Sequence, residues 1–211
     1  MAIFAIGDIH GCFQALERLL QKLPIEWEED YLVFLGDYID RGPDPRLTLE
    51  GVMELKEAFG DRVIPLMGNH EWMFLRYLHG VDEDVYLLNG GDVTLAQFSR
   101  GGKLDVPPEV VAFLRGLPYY WETEKYIFVH AGLRPGRPLH AQRPEDLLFI
   151  RGEFIFSDYD WGKRVIFGHT PFSTPFVARN KIGIDTGCVY GGELTALRLP
   201  DVEFYFEFCG R

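Results

Sequence analysis

Long apolar runs and an excess of basic residues are both missing from this 211-residue sequence. No stretch approaches the ~20 apolar residues that a membrane-spanning helix needs, and the apolar N-terminus is too short, and lacks the basic flank, for a signal peptide. Lysine and arginine number 21 against 32 acidic residues, so the net charge is −11. This balance disfavours binding to the nucleic-acid backbone or to an anionic membrane surface. We therefore expect a cytoplasmic protein with no nucleic-acid or membrane partner.

Cysteine is also scarce, because only Cys12, Cys188 and Cys209 occur and no C-x-x-C pattern is present. An odd number without that spacing argues against a disulfide scaffold and against a zinc ribbon. Reduced thiols in a cytosolic setting are the simplest interpretation. Cys12 directly follows a motif described below, and packing is favoured over a nucleophilic role for it.

What the chain does contain is enough apolar sequence for one large domain. Hydrophobic residues make up 47% and charged residues 25%, which is normal for a globular core, and we assign residues 1–211 to a single domain. Apolar runs predict buried strands at residues 2–6, 31–35, 63–66, 126–129 and 165–167. Amphipathic patterns predict helices at 13–23 and 45–59. This alternation indicates an α/β fold in which helices flank a sheet.

Two regions depart from the alternation. Near the C-terminus, residues 181–185, 193–199 and 202–208 are strand-like and closely spaced, which predicts hairpins in a second, partly antiparallel sheet. Residues 80–125 hold several glycine and proline pairs and two predicted short helices. Two interpretations of this region stay open, namely a helical cap over the site and an ordinary helical connection.

Polar residues follow every strand of the first predicted sheet. The five segments are Gly7–Gly11, Gly36–Gly42, Gly68–Glu71, His130–Gly132 and Gly168–Thr170. Ligands bind at the carboxyl ends of strands in open α/β sheets, so these segments can converge on one crevice. Each segment alone is a weak signal, and an isolated Gly-Asn-His-Glu could simply cap a helix. The ordered set of five is what indicates a site.

The donor types in these segments suit a pair of metal ions. Asp8 and His10 are two residues apart, so both point to the same side of an extended segment. The carboxylate of Asp37 has two oxygens and can bridge two ions. Mixed nitrogen and oxygen donors without thiolate suit manganese, iron, zinc or cobalt.

In this order the segments spell GDxHG, GDxxDRG, GNHE, HAG and GHT, and no position departs from that pattern. They resemble the signature of the phosphoprotein phosphatase family of metallophosphoesterases, which includes bacterial serine/threonine phosphatases and symmetrical diadenosine tetraphosphatases. The similarity runs from residue 7 to residue 170, and a sixth family-like stretch lies at residues 184–187. The resemblance implies a calcineurin-like β-sandwich flanked by helices, with a dinuclear metal site at the strand ends.

The same resemblance implies a ligand set for two divalent ions, with manganese as the favoured metal. The implied ligands are Asp8 and His10 for one ion, Asp37 as the bridge, and Asn69, His130 and His169 for the other. His70 is implied as the general acid, Asp40 as its orienting partner, and Arg41 as a phosphate clamp.

A second arginine clamp is expected between the last two histidine motifs. Arg151 is the favoured candidate, and Arg134 and Arg143 are its competitors. Tyr190 is assigned to the lining of the site, with a packed or hydrogen-bonded tyrosine as the alternative.

These residues together predict a phosphoesterase in which a metal-bridging hydroxide attacks phosphorus directly and no phosphoenzyme forms. The favoured function is a serine/threonine protein phosphatase acting on phosphoproteins or phosphopeptides. The alternative is a symmetrical dinucleoside tetraphosphate hydrolase, or another small-nucleotide phosphohydrolase, with the same site. A metal-free binding scaffold would require lost ligands, and none is missing.

Overall fold

Strands and helices alternate along the first 80 residues, as the apolar runs predict. The computed structural model describes residues 1–210. The helices are α1 (Phe13–Lys22), α2 (Pro45–Phe59), α3 (Asn69–Tyr77), α4 (Glu83–Leu88), α5 (Asp92–Gln97), α6 (Pro108–Arg115), α7 (Pro144–Phe149) and α8 (Gly152–Ile155). Among these residues, no helix is both long enough and apolar enough to cross a membrane.

The strands are short, and most of those before the C-terminal hairpin are buried. They are β1 (Ile3–Ile6), β2 (Tyr31–Phe34), β3 (Val63–Pro65), β4 (Ser99–Arg100), β5 (Lys103–Leu104), β6 (Tyr120–Glu122), β7 (Tyr126–Val129), β8 (Arg164–Phe167), β9 (Phe176–Val177), β10 (Lys181–Gly183), β11 (Asp185–Thr186), β12 (Glu193–Leu199) and β13 (Glu203–Phe208).

Two sheets hold these strands, apart from the small β4–β5 hairpin. The first has the order β11-β12-β1-β2-β3, with β13 also paired to β12, and the second has the order β6-β7-β8-β10-β9. Strands β1, β2 and β3 are parallel to one another, as are β7, β8 and β10. Each sheet therefore presents a group of parallel strand ends, and these groups carry the predicted motifs.

The division of strands between the sheets differs from the sequence prediction. Strands β7 and β8 were expected in the same sheet as β1, and the C-terminal strands were expected in the second sheet. Instead β12 pairs antiparallel with β1, with Ile3 opposite Leu199 and Ile6 opposite Ala196, so that β7 and β8 belong to the second sheet. Apolar periodicity shows that a strand is buried, but it carries no information on which free strand edge it will join.

The two sheets pack face to face around a shared core. Ala5 and Val33 from the first sheet lie in one buried cluster with Phe128 and Ile166 from the second. The outer faces are covered too, since Phe4 packs in the cluster that contains the buried face of α1. Burial on both faces explains why these strands are continuous apolar runs. The predicted β-sandwich flanked by helices is confirmed.

Residues 80–125 contain three helices rather than the two predicted, followed by β6. Two residues of this region, Val85 and Asn89, line the cavity at the motif edge. The segment that includes α4 and α5 therefore forms one wall of the site. Helix α6 instead packs beside α3.

The expectation of three reduced thiols is wrong. Cys12, at the start of α1, and Cys209, after β13, form a disulfide with a Cα–Cα separation of 5.3 Å, and Cys188 is a buried free thiol. The two bonded residues are 197 positions apart. Only the fold brings them within the distance that a disulfide requires, so their spacing in the sequence could not indicate the pair.

Candidate functional site

The loops that follow the strands are joined to one another by backbone hydrogen bonds. The amide of His10 donates to the carbonyl of Asp37 at 2.8 Å, which ties the loop after β1 to the loop after β2. In the second sheet, the amide of Gly168 donates to the carbonyl of His130 at 2.7 Å. The sandwich thus holds the five predicted segments at one edge.

Five of the predicted site residues adopt left-handed backbone conformations although none is glycine. They are His10, Asp37, Asp40, Arg41 and His169, with φ values between +46° and +70°. Such a conformation costs a non-glycine residue roughly 1–2 kcal/mol. Strain of this kind persists only where the surrounding structure enforces it, and it concentrates at functional sites.

Nitrogen and oxygen donor atoms converge in two overlapping groups. His10, Asp37 and His70 can place one donor atom each within 4.8 Å of one another, and so can Asp37, His130 and His169. The two oxygens of Asp37 lie 3.3 Å from Nε2 of His10 and 3.4 Å from Nε2 of His130. Membership of both groups is what a bridging carboxylate requires.

The remaining predicted ligands lie at the same place. Oδ1 of Asn69 is 2.8 Å from both Nε2 of His130 and Nδ1 of His169. The carboxylate of Asp8 accepts a hydrogen bond from the amide of His169 at 3.0 Å and lines the same cavity as Asn69. The structure therefore brings all six predicted ligands together.

Burial prepares the histidines to act as ligands. It lowers the pKa of His10 to about 3 and also lowers the pKa of His130 and of His169. Neutral imidazoles keep a free lone pair, which metal binding needs. Nε2 of His169 is buried without a hydrogen-bond partner among residues 1–210, although buried polar atoms are normally paired.

The carboxylates of the site repel one another. Burial raises the pKa of Asp8, and the charges of Asp185 and Asp37 raise it further. Burial likewise raises the pKa of Asp185 to about 6. Bound divalent cations would remove this penalty, because an ion in such a site is the largest local charge and favours ionised carboxylates. The residues present therefore fit a pair of divalent metal ions.

His70 and Asp40 form a buried pair beside the donor groups. Nδ1 of His70 lies 2.6 Å from Oδ2 of Asp40, whose side chain is completely buried. A carboxylate partner assigns the proton to Nδ1. Nε2 of His70 is then the nitrogen available to the cavity, and it has no hydrogen-bond partner in the described chain.

The structure distinguishes between the arginines that were candidates for the phosphate clamps. Arg41 and Arg151 both line the cavity that contains the donor groups. Arg134 forms ion pairs with Asp146 and Glu153. It lies with Arg143 at a different depression. The geometry thus favours Arg151 over both competitors.

The cavity has a volume of about 420 Å³. Its lining includes donor residues such as Asp8, Asp37 and His169. It also includes five apolar or aromatic side chains, namely Met73, Val85, Phe149, Pro171 and Tyr190. Tyr190 is 64% exposed and its ring centre lies 5.5 Å from the guanidinium carbon of Arg41. The site therefore combines metal-donor groups and arginines with surfaces that can contact an apolar or aromatic portion of a ligand.

Comparison with known protein families shows to which family the chain belongs. The model of the calcineurin-like phosphoesterases matches residues 1–207. The chain belongs to the calcineurin-like phosphoesterase family. The resemblance inferred from the five motifs is confirmed, and so is the dinuclear divalent metal centre as the type of site that this family uses.

Curated relatives of this calcineurin-like phosphoesterase match it over nearly its whole length. A protein of Geobacillus sp. (strain WCH70) is 31% identical, with 96% of this chain and 92% of the relative covered. A protein of Bacillus subtilis (strain 168) is 32% identical, with 96% and 93% covered. Both are named asymmetrical bis(5'-nucleosyl)-tetraphosphatase PrpE.

Solved structures show the same fold. One is described as a candidate diadenosine tetraphosphatase and is 25% identical, with a TM-score of 0.77 and coverage of 98% of this chain and 92% of that one. A cold-active protein-tyrosine phosphatase of a psychrophilic Shewanella species is 20% identical, with a TM-score of 0.67 and coverage of 97% and 80%. At that lower identity the similarity concerns the fold alone.

Sequence reasoning gave Glu71 no role beyond helix capping, although it lies in the Gly-Asn-His-Glu motif. Its buried carboxylate accepts hydrogen bonds from the amides of Asp37 at 2.9 Å, Tyr38 at 2.8 Å and Gly68 at 3.1 Å. These bonds fix the loop that carries the central carboxylate of this phosphoesterase site. Tyr86 and Thr94, which contact Asp40, were also missed, and no sequence motif marks either of them.

Proposed function

We propose that this calcineurin-like phosphoesterase hydrolyses dinucleoside tetraphosphates, and that it does so asymmetrically. The observation that carries the proposal is the similarity, over 96% of the chain, to two relatives that bear the name of this activity. A fold-level likeness would be weaker support, because one fold hosts many functions.

The cavity is compatible with such a substrate. Arg41 and Arg151 can pair with the oxygens of a polyphosphate chain, and a planar guanidinium can do so with two parallel hydrogen bonds. The aromatic rings of Phe149 and Tyr190 line the same cavity. Aromatic side chains stack on nucleobases regardless of base identity, so these rings are candidates for nucleoside contacts.

The chemistry assigned to the residues follows from their positions. Two divalent ions held by the six ligands would supply positive charge and an activated water. Arg41 and Arg151 stabilise the negative charge that grows on the phosphoryl oxygens. His70 donates a proton from Nε2 to the leaving oxygen, while Asp40 holds the ring through Nδ1. Neither a nucleophilic side chain nor a covalent intermediate is needed.

Asymmetrical and symmetrical cleavage of a dinucleoside tetraphosphate give different products. Hydrolysis of diadenosine tetraphosphate next to one terminal phosphate gives ATP and AMP, whereas hydrolysis at the central bridge gives two ADP. The sequence resemblance points to the symmetrical enzymes, but the names of the full-length relatives support the asymmetrical reaction. They also support nucleotide hydrolysis better than the phosphoprotein hydrolysis that the sequence favours.

The test compares kcat/KM for diadenosine tetraphosphate and for phosphoserine and phosphothreonine peptides on protein loaded with Mn²⁺. Asp37→Asn serves as the blank, and the nucleotide products are separated by chromatography. We expect a preference for the dinucleotide of at least about tenfold, equal to about 1.4 kcal/mol, with ATP and AMP as products. A preference for phosphopeptides would overturn the proposal, and two ADP would overturn the asymmetrical part of it.

A further inference from the structure

The two oxygens of the Asp40 carboxylate have different partners. Oδ2 faces Nδ1 of His70, as described above. Oδ1 accepts hydrogen bonds from the hydroxyl of Tyr86 at 2.6 Å and from the hydroxyl of Thr94 at 2.5 Å. The hydroxyl of Thr94 in turn accepts a hydrogen bond from the amide of Asp40 at 3.0 Å. Helices α4 and α5 thus each provide one side chain to a single carboxylate.

This network compensates for the burial of a charged group. Asp40 and Thr94 are both completely inaccessible to solvent, and so is Tyr86. An isolated carboxylate in such a place would be very unfavourable, so its oxygens need donors. Burial and the nearby carboxylate raise the pKa of Tyr86, and its hydroxyl therefore remains a donor at neutral pH.

The connection between α4 and α5 also holds Arg41, the residue next to Asp40, by hydrogen bonds. The amide of Arg41 donates to the carbonyl of Gly90 at 3.1 Å, and Nε of Arg41 donates to the carbonyl of Asn89 at 3.3 Å. Asp40 and Arg41 are consecutive residues with φ of +70° and +66°. A turn of this conformation persists only when its surroundings enforce it. The segment from Tyr86 to Thr94 makes five hydrogen bonds to this turn.

We propose that Tyr86 and Thr94 are positioning residues for proton donation by His70. By occupying Oδ1 of Asp40 they fix the rotation of the carboxylate, so that Oδ2 stays directed at Nδ1 and Nε2 stays directed into the cavity. This inference rests on the acid role assigned to His70 above, and it is independent of whether the substrate is a dinucleotide or a phosphopeptide.

The proposal predicts a loss of rate that depends on the leaving group. General acid catalysis contributes about 10²–10⁴-fold when the leaving oxygen is strongly basic. A ring held in the wrong orientation should lose part of this, and we expect a decrease in kcat of roughly tenfold for phenyl phosphate. For p-nitrophenyl phosphate, whose leaving group needs little protonation, kcat should change less than about twofold, and KM should be unchanged for both esters.

The variants are Thr94→Val, which removes the hydroxyl at nearly constant shape, and Tyr86→Phe, which removes the other donor. Thr94→Ser restores a hydroxyl and should recover most of the rate on phenyl phosphate. Tyr77→Phe is the matched control, because the Tyr77 ring packs against Tyr86 at 5.3 Å while its hydroxyl makes no hydrogen bond to the described residues. Metal content and thermal midpoint are measured for each variant, and His70→Ala is assayed in parallel.

The outcomes separate the inference from the function on which it rests. Equal losses on both esters in Thr94→Val and Tyr86→Phe, or no recovery in Thr94→Ser, would show a structural role and overturn the inference. If His70→Ala itself loses equally on both esters, the acid role fails, and the inference fails with it. A leaving-group effect in His70→Ala without one in the two hydroxyl variants overturns the inference alone. If Thr94→Val does not fold, Tyr86→Phe and Thr94→Ser decide the matter.

Discussion

At the scale of single residues, the carboxylate of Asp37 is buried between the two groups of donor atoms. Burial opposes its ionisation, whereas positive charge at the surrounding histidine nitrogens, above all at His130, lowers the pKa of its carboxyl. Bound cations would supply that charge while the histidines stay neutral. The loop that carries it is fixed by Glu71, which accepts a hydrogen bond from the amide of Asp37 itself. A carboxylate held in place between two groups of donors is suited to joining two cations.

Asp37→Asn tests this directly. The amide has one oxygen instead of two and no charge, so it cannot bridge two ions with equal strength. We expect the variant to retain less metal after dialysis and to lose turnover by at least 10²-fold, the range typical for a group that stabilises the transition state. Metal content is measured by mass spectrometry beside kcat. An Asn variant with full metal and full activity would contradict the bridging assignment.

Arg151 offers a second residue-scale prediction, because Arg134 provides a matched control. Arg151→Gln removes a charged donor from the cavity and should lower kcat/KM by about tenfold or more, since hydrogen bonds to charged groups contribute about 1.5–3 kcal/mol. Arg134→Gln removes a side chain that pairs with Asp146 instead and should leave kcat/KM within about twofold. The reverse order of effects would assign the clamp to Arg134.

Sequence alone could predict the residues whose role is marked by a local motif. Asp8 and His10 share one segment, and His70 directly follows Asn69. Their roles can therefore be predicted from short stretches of sequence. Tyr86 and Thr94 lie 46 and 54 positions from Asp40 in the least regular region of the chain. Their role depends on the path that this region takes, and no periodicity or composition specifies that path.

At the scale of secondary structure, the sequence predicted strand positions better than strand partners. Strand β7 and helix α2 have the predicted bounds, because continuous apolar runs and a proline at a helix start are strong local signals. The sheet of β12 and β13 was predicted wrongly, because apolar periodicity does not show which free strand edge a strand will join. For the region of α4 and α5 the sequence left two interpretations open, a cap over the site and an ordinary connection, and Val85 and Asn89 of this region line the cavity.

Gly90, in the connection between α4 and α5, gives an element-scale prediction. Its φ is +90°, and a Cβ at this position would lie 2.9 Å from Cγ of Arg41. Gly90→Ala should therefore displace the arginine and lower kcat/KM by roughly tenfold, the cost of one weakened charged hydrogen bond. The readout is kcat/KM together with the thermal midpoint.

Gly102→Ala is the control for this substitution. Gly102 has a similar φ of +78°, but no atom lies within 4 Å of its Cβ position. Both alanines pay a comparable backbone penalty of roughly 1–2 kcal/mol, so both should lower the thermal midpoint. Only Gly90→Ala should also affect catalysis. Equal activity in the two variants would mean that the connection does not hold Arg41 in place.

At the scale of the whole molecule, the last strand is anchored to the first helix. Glu207 in β13 pairs with Arg18 at 3.0 Å and with Lys22 at 2.5 Å, both on α1. The disulfide between Cys12 and Cys209 joins the same two elements. Exposed ion pairs contribute little to stability, so the covalent link should dominate the attachment. It encloses nearly the whole chain, which restricts the unfolded state strongly.

Loss of this link should therefore destabilise the protein without disrupting the sandwich. Cys209→Ser is expected to lower the free energy of unfolding by about 2–4 kcal/mol, measured by urea denaturation without reductant. Addition of a reductant should lower the stability of the wild type to a similar value and leave the variant unchanged. Titration of thiols in the denatured, non-reduced wild type should find Cys188 alone. Three reactive thiols, together with a urea midpoint that does not respond to reductant, would show that the cysteines are reduced. In that case β13 would be attached only by its strand pairing and its ion pairs.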